Sequence, residues 1–128
     1  MLSGASEDTK LVITRCIGQQ IGKVEMNDDS LLITFDYGGI MAISDDGQSC
    51  CENRYMTCDD DLSGFEGSRL VDVSVREAED VKDDDNCDVH EVAFLVVRTT
   101  KGDITACTHN EHNGYYGGFA IVAKMVQP

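Results

Sequence analysis

The chain has 128 residues, a mass of 14.0 kDa, a formal net charge of −14 and no tryptophan. An apolar fraction of 41% with periodic runs implies a folded globule, and the length suits one domain spanning residues 1–128 with one hydrophobic core. No apolar run is long enough to span a membrane as a helix, and the opening residues MLSGASEDTK lack the basic flank and apolar block of a signal peptide, so a cytoplasmic protein with reduced thiols is expected.

In chain order, Thr9 to Ile21 is ambiguous, with Leu11, Val12, Arg15 and Cys16 able to sit on one short helix ending at Gly18. IGKVEMN alternates, Asp28–Ser30 reads as a turn, and LLITFDY places Leu31, Ile33 and Phe35 on one face. GIMAIS follows across Gly38 and Gly39, which completes a three-stranded meander. The period then changes. SCCENRY (Ser49–Tyr55) suits a buried helix entry with Arg54 as an exposed base able to reach a phosphate or a neighbouring acid. DDDLSGFEG has an acidic start, Leu62 and Phe65 three apart and a closing glycine, the pattern of a helix of a turn or two. RLVDVSVRE alternates as a strand, with Leu70 facing away from Val71, Val73 and Val75, and Glu79–Asp88 reads as an acidic loop.

VAFLVVRTT and DITACTH form a hairpin in which Lys101-Gly102 supplies a two-residue turn. Counting outward from that turn places Arg98 opposite Thr105, Val96 opposite Cys107 and Phe94 opposite His109 on one face. Leu95, Val97, Thr99, Ile104 and Ala106 occupy the other, which is the better candidate for the core. FAIVAKM is a last strand. The expected fold is α+β: a single sheet-dominated domain, an antiparallel meander of about seven strands with one or two short helices.

The stretch THNEHNGYYGGF (Thr108–Phe119) concentrates chemistry in what reads as a loop. Gly114, Gly117 and Gly118 can present backbone amides as a nest for an anion. Asn110 and Asn113 offer donors and acceptors for sugar hydroxyls or a base edge. Tyr115, Tyr116 and Phe119 provide rings on which a nucleobase can stack. The row of Arg98, Phe94 and His109 leads into this loop, and His112 lies within it. A structured turn with core-capping tyrosines accounts for the same residues. Zinc binding through Cys107, His109 and His112 lacks a paired Cys-x₂-Cys, and a Cys107–His109 thiolate pair or a Glu111 base lacks any accompanying catalytic motif. The chain is therefore expected to be a binding protein without catalytic activity, metal or cofactor.

The charge distribution is compatible with an anionic ligand. Residues 45–91 hold sixteen acids and four bases, whereas residues 92–128 hold two acids and three bases. At cellular salt, charges beyond about 8 Å are strongly screened, so the acid run does not dominate the C-terminal third. The competing reading of that run is an acidic decoy acting through residues 77–88; a solvated, solubilising loop is the plainer one.

SCCENRY, DDLSGFEGSRL and FLVVRTTKGDITACTHNEHNGYYGGF together resemble a family of small phage proteins, the first type of Thoeris anti-defence protein. The matching positions are Cys50, Cys51, Glu52, Asp61, Leu62, Gly67, Thr99, Lys101, Gly102, Asn113, Gly114, Tyr115 and Tyr116, spread from Ser49 to Phe119. The resemblance implies a homo-oligomeric sponge in the host bacterial cytoplasm. Its ligand would be a small signalling nucleotide of the cyclic ADP-ribose type made by a TIR-domain defence enzyme, held intact and released on denaturation. Some relatives also hold cyclic oligonucleotides between subunits. Neither a nucleic-acid duplex nor a membrane is an expected partner. The candidate ligand-binding residues come from the residue reading: Phe94, Arg98, His109, Asn110, His112, Asn113, Gly114, Tyr115, Tyr116 and Arg54.

Overall fold

A computed structural model describes residues 6–27, 30–45, 53–58, 60–77, 81–82, 89–112 and 119–126, with the backbone alone at 53–54, 77, 81–82, 89–91 and 111–112. The side chain of Ser6 accepts the Thr9 amide at 3.2 Å and so caps helix α1 (Glu7–Cys16). Glu7 and Asp8 in the first turn and Arg15 in the last oppose the helix dipole favourably. The helix stops at Ile17, and Gly18 follows at φ +87°. Its buried face is Thr9, Ile13 and Cys16, while Leu11 is 49% exposed. The short helix expected to end at Gly18 is present, and it buries Ile13 and Cys16 rather than Leu11.

The strands make two antiparallel sheets. The described residues form β1 (Ile21–Met26), β2 (Ser30–Phe35), β3 (Ile40–Asp45), β4 (Asn53–Cys58), a 3₁₀ turn (Leu62–Phe65), β5 (Leu70–Glu77), β6 (Val81–Lys82), β7 (Val89–Thr99), β8 (Gly102–His112) and β9 (Ile121–Val126). One sheet has the order β1-β2-β3-β9, and the other β4-β8-β7-β5 with β6 paired to the start of β7. The meander of the first three strands and the last strand are as expected, and the fold is α+β and sheet-dominated. Thr9 Oγ1 accepts the Ala123 amide at 3.3 Å and Cys16 Sγ donates to Met125 Sδ at 3.7 Å, which docks α1 on β9.

Both sheets bury one face in a common core. Ile21, Val24, Leu31, Ile33, Phe35, Met41, Ile43 and Ala123 come from the first sheet, and Met56, Leu70, Val73, Leu95, Val97, Ile104 and Ala106 from the second. Fully burying each large side chain of this set contributes about 1.5–3 kcal/mol. The inward face of the β7–β8 hairpin is the one expected, with Leu95, Val97, Ile104 and Ala106 at 0% exposure and Thr99 at 8%.

The two sheets meet where β1 and β5 begin. Gly18 and Ile21 donate to the carbonyls of Leu70 and Ser68, and Leu70 and Gly67 donate to those of Gln19 and Ile21. Each strand carries an irregularity beside this junction, between Ile21 and Lys23 in one and between Leu70 and Asp72 in the other. The extra residue moves the inward positions three apart, to Ile21 and Val24 and to Leu70 and Val73. Leu70 therefore lies on the same side as Val73, while Val71 is 45% exposed, which corrects the strict alternation expected from RLVDVSVRE.

Three further expectations are corrected. Residues 53–55, read as part of a helix entry, belong to the strand Asn53–Cys58, which pairs with β8 along its whole length. Val81 and Lys82, placed in the acidic loop, pair with His90 and Val89. The hairpin turn lies one residue earlier than Lys101-Gly102, so that Thr99 faces Gly102 and Arg98 faces Asp103. The hydroxyl of Thr99 accepts the Lys101 amide at 3.1 Å and donates to the Gly102 carbonyl at 2.6 Å, which closes the chain around Thr100 and Lys101. Gly102, at φ +122°, is the first residue of the return strand rather than part of the turn. Because every partner moves by two residues, each side chain keeps its predicted face.

Candidate functional site

The outward face of the second sheet is where the chemistry gathers. Its rows follow from register. Asp72 faces Arg98 and Arg98 faces Asp103; Ser74 faces Val96 and Val96 faces Thr105. Arg76 faces Phe94, Phe94 faces Cys107, and Cys107 faces Thr57; Val92 faces His109, and His109 faces Tyr55. Side chains directly opposite each other lie about 4.5–5.5 Å apart at Cβ, and diagonal neighbours remain within reach of long or aromatic groups.

At the β4 side, Tyr55 and His109 stack with ring centroids 4.4 Å apart and planes within 8°. The Thr57 hydroxyl and His109 Nε2 share a hydrogen bond of 3.0 Å. Together these contacts fix the imidazole in plane and position. Phe94, in the adjacent row, is 37% exposed. Beyond it stands Arg76, exposed, with no hydrogen bond or ion pair among the described residues. Val96 completes the middle of the face and is buried.

The sequence placed Phe94, Arg98 and His109 on one face, and the structure does so too, though in different rows. Phe94 lies opposite Cys107 rather than His109, and Arg98 opposite Asp103 rather than Thr105. Arg98 is thus flanked by two carboxylates, Asp72 and Asp103. Burial pushes the Asp72 carboxyl up, but hydrogen bonds, including one from the Val73 amide at 2.8 Å, and the nearby charge of Arg98 hold it below its ordinary value.

Asn110 is corrected outright. The segment Thr108–His112, expected in a loop, continues β8, where Asn110 pairs with Arg54 on one side and Glu91 on the other. Its side chain is 0% exposed and lies on the core side with Thr108 and Ala106, so it presents nothing to a ligand from solvent. A strand flanked by two partners satisfies its backbone on both edges, and that outweighs the turn preference of the His-Asn-Glu-His composition. Arg54 and His112 also stand in strands, opposite Asn110 and Val89. Asn113, Gly114, Tyr115 and Tyr116 lie outside the described residues.

Tyr55, Thr57 and Arg76 were missed. Tyr55 belongs to a segment read as a helix entry, and Thr57 follows just beyond it. For Arg76 the signal was present in the alternation of Asp72, Ser74 and Arg76, and needed only the knowledge that β5 lies beside β7.

Among the described residues no three His, Cys, Asp or Glu side chains gather as metal ligands. Cys16, Cys58 and Cys107, the described cysteines, are free thiols. Burial pushes the Cys16 thiol up against a weaker opposing hydrogen bond with Tyr37, so it stays protonated near neutral pH and is a poor nucleophile. No helix among the described residues is long and apolar enough to cross a membrane.

A family model described as a domain of unknown function, DUF7448, matches residues 14–122, and the chain belongs to that family. No curated protein matches the chain, and no solved structure does.

Proposed function

We propose that the protein binds and sequesters a signalling nucleotide of the cyclic ADP-ribose type without degrading it. One observation carries this reading: the partly exposed Phe94 ring stands between an arginine on β5 and a stacked Tyr55–His109 pair across β8 and β4. An aromatic platform of this kind stacks a base with about 1–3 kcal/mol per ring. The guanidinium suits a phosphate, and the Thr57 hydroxyl and His109 suit sugar hydroxyls. The resemblance of the Ser49–Phe119 segment to Thoeris anti-defence proteins supplies the ligand class, and with it the expectation of self-association.

Sequestration requires affinity without bond breaking. Drawing a micromolar signal down to nanomolar asks for roughly −12 kcal/mol, which stacking and charge-assisted hydrogen bonds on a rigid sheet can approach together. The test is direct. Protein mixed with cyclic ADP-ribose, freed of unbound ligand and then heated should release the unaltered compound by mass spectrometry. An empty filtrate, or one containing a hydrolysed product, would overturn the proposal. An acidic decoy acting through residues 77–88 would instead lose its effect when those acids are neutralised and keep it in Phe94→Ala.

A further inference from the structure

The outward face of the second sheet carries two arginines two rows apart, and their surroundings differ. Arg98 has a carboxylate directly opposite on each side, Asp72 on β5 and Asp103 on β8. Arg76 has Phe94 directly opposite, Val92 and Val96 on the diagonals, and Ser74 two residues back on its own strand. All four neighbours are uncharged. Among the described residues neither arginine's side chain makes an ion pair or hydrogen bond, so the two differ in what stands opposite them. A cation with no carboxylate opposite or diagonal to it among the described residues, beside a partly exposed ring, is complementary to a ligand that brings both an anion and an aromatic plane.

We infer that Arg76, rather than Arg98, is the anion anchor of this face, and that it takes a phosphate attached to a base lying on Phe94. The inference rests on the nucleotide-binding reading above and adds to it the polarity of the bound ligand. Phosphate lies at the β5 side of Phe94, and the sugar hydroxyls lie at the β4 side, towards Thr57 and His109. Arg98 instead stands opposite a carboxylate on each neighbouring strand. An arriving phosphate there would face repulsion from both carboxylates, a penalty that the uncharged surroundings of Arg76 do not impose.

Calorimetric titration of cyclic ADP-ribose into wild type, Arg76→Ala, Arg76→Lys, Arg98→Ala and Phe94→Ala, at low and at physiological salt, tests this. Arg76→Ala should weaken binding about tenfold or more and flatten its salt dependence, as removal of one charge-assisted contact does. Arg76→Lys should restore the salt dependence and part of the affinity. Phe94→Ala should weaken binding with the salt dependence intact, and Arg98→Ala should change neither. A wild type that gives no binding overturns both this inference and the reading beneath it. A wild type that binds while Arg76→Ala retains full affinity, or while Arg98→Ala does equal damage, overturns the assignment of Arg76 alone. Since Arg76 is exposed, its replacement leaves the core untouched, and a thermal melt of each variant separates lost binding from lost fold.

Discussion

The two sheets contribute to one core, yet they turn different surfaces outward. The first sheet presents Lys23, Glu25, Leu32, Thr34, Ala42 and Lys124 on its outer positions, and its described strands turn no aromatic ring outward. Its one close ion pair, Lys23 with Glu25 at 2.7 Å, is neutralised within β1 and solvent-exposed on both sides. The second sheet presents Phe94, Tyr55, His109 and an arginine without a carboxylate opposite it. A common interior therefore says little about what a sheet does. The difference lies in whether its outward charges and rings are satisfied by one another.

The sharpest way to break that comparison uses one phenylalanine from each sheet. Phe35 is 1% exposed and Phe94 37%. Phe35→Ala should cost about 3–5 kcal/mol in chemical denaturation, as large-to-small core changes do. Phe94→Ala should stay within about 1 kcal/mol of wild type, because its ring lies on a surface. Equal losses would mean that the second sheet's outer face is a second core rather than a surface for a ligand.

A smaller effect is expected at the start of α1. Ser6→Ala removes the cap on the Thr9 amide and should cost about 1 kcal/mol. Since α1 docks on β9, hydrogen exchange should quicken in α1 and β9 while β7 and β8 keep their protection. Uniform loss across both sheets would show that the helix supports the whole molecule rather than one edge.

The smallest effect concerns Asp72. Its folded pKa lies below the unfolded value, so its contribution is complete above the unfolded pKa of about 3.9 and is lost as pH falls through the lower folded value. Asp72→Asn should therefore be slightly less stable than wild type at neutral pH, with the two denaturation curves converging in acid. A gap that widened in acid would reverse the sign and remove Arg98 and the Val73 amide as the cause.

Much of this architecture was legible in the residues. Alternation in LLITF and AFLVVRT identified inward faces because burial on one side of a sheet imposes a period of two. Capping acids and closing glycines marked the turn at Leu62–Phe65, whose Asp61 accepts the Ser63 amide and hydroxyl. What escaped depended on distant partners. Nothing local in NRYMTC distinguishes a strand from a helix entry; its pairing with β8 decides. The displacement at Leu70 follows from the junction with β1, and the burial of Asn110 from its place in a central strand. For the candidate site, the face of Phe94, Arg98 and His109 was readable, but its rows were not. The rows determine which arginine faces carboxylates, and placing the turn one residue late, which moves every partner by two, was enough to hide it.

The backbone strap between residues 18–21 and 67–70 has a consequence for how the polypeptide assembles. It joins segments far apart in sequence, and Arg69 secures it from both ends, donating to the Gly18 carbonyl at 2.8 Å and exchanging contacts with Thr100 at the hairpin tip. Contacts of such long sequence separation slow folding, so a mutation that weakens this strap is expected to slow refolding in stopped-flow measurements more than one within either hairpin. Neither half is an autonomous module: a chain severed between β3 and β4 yields two fragments that reach native structure only in each other's company.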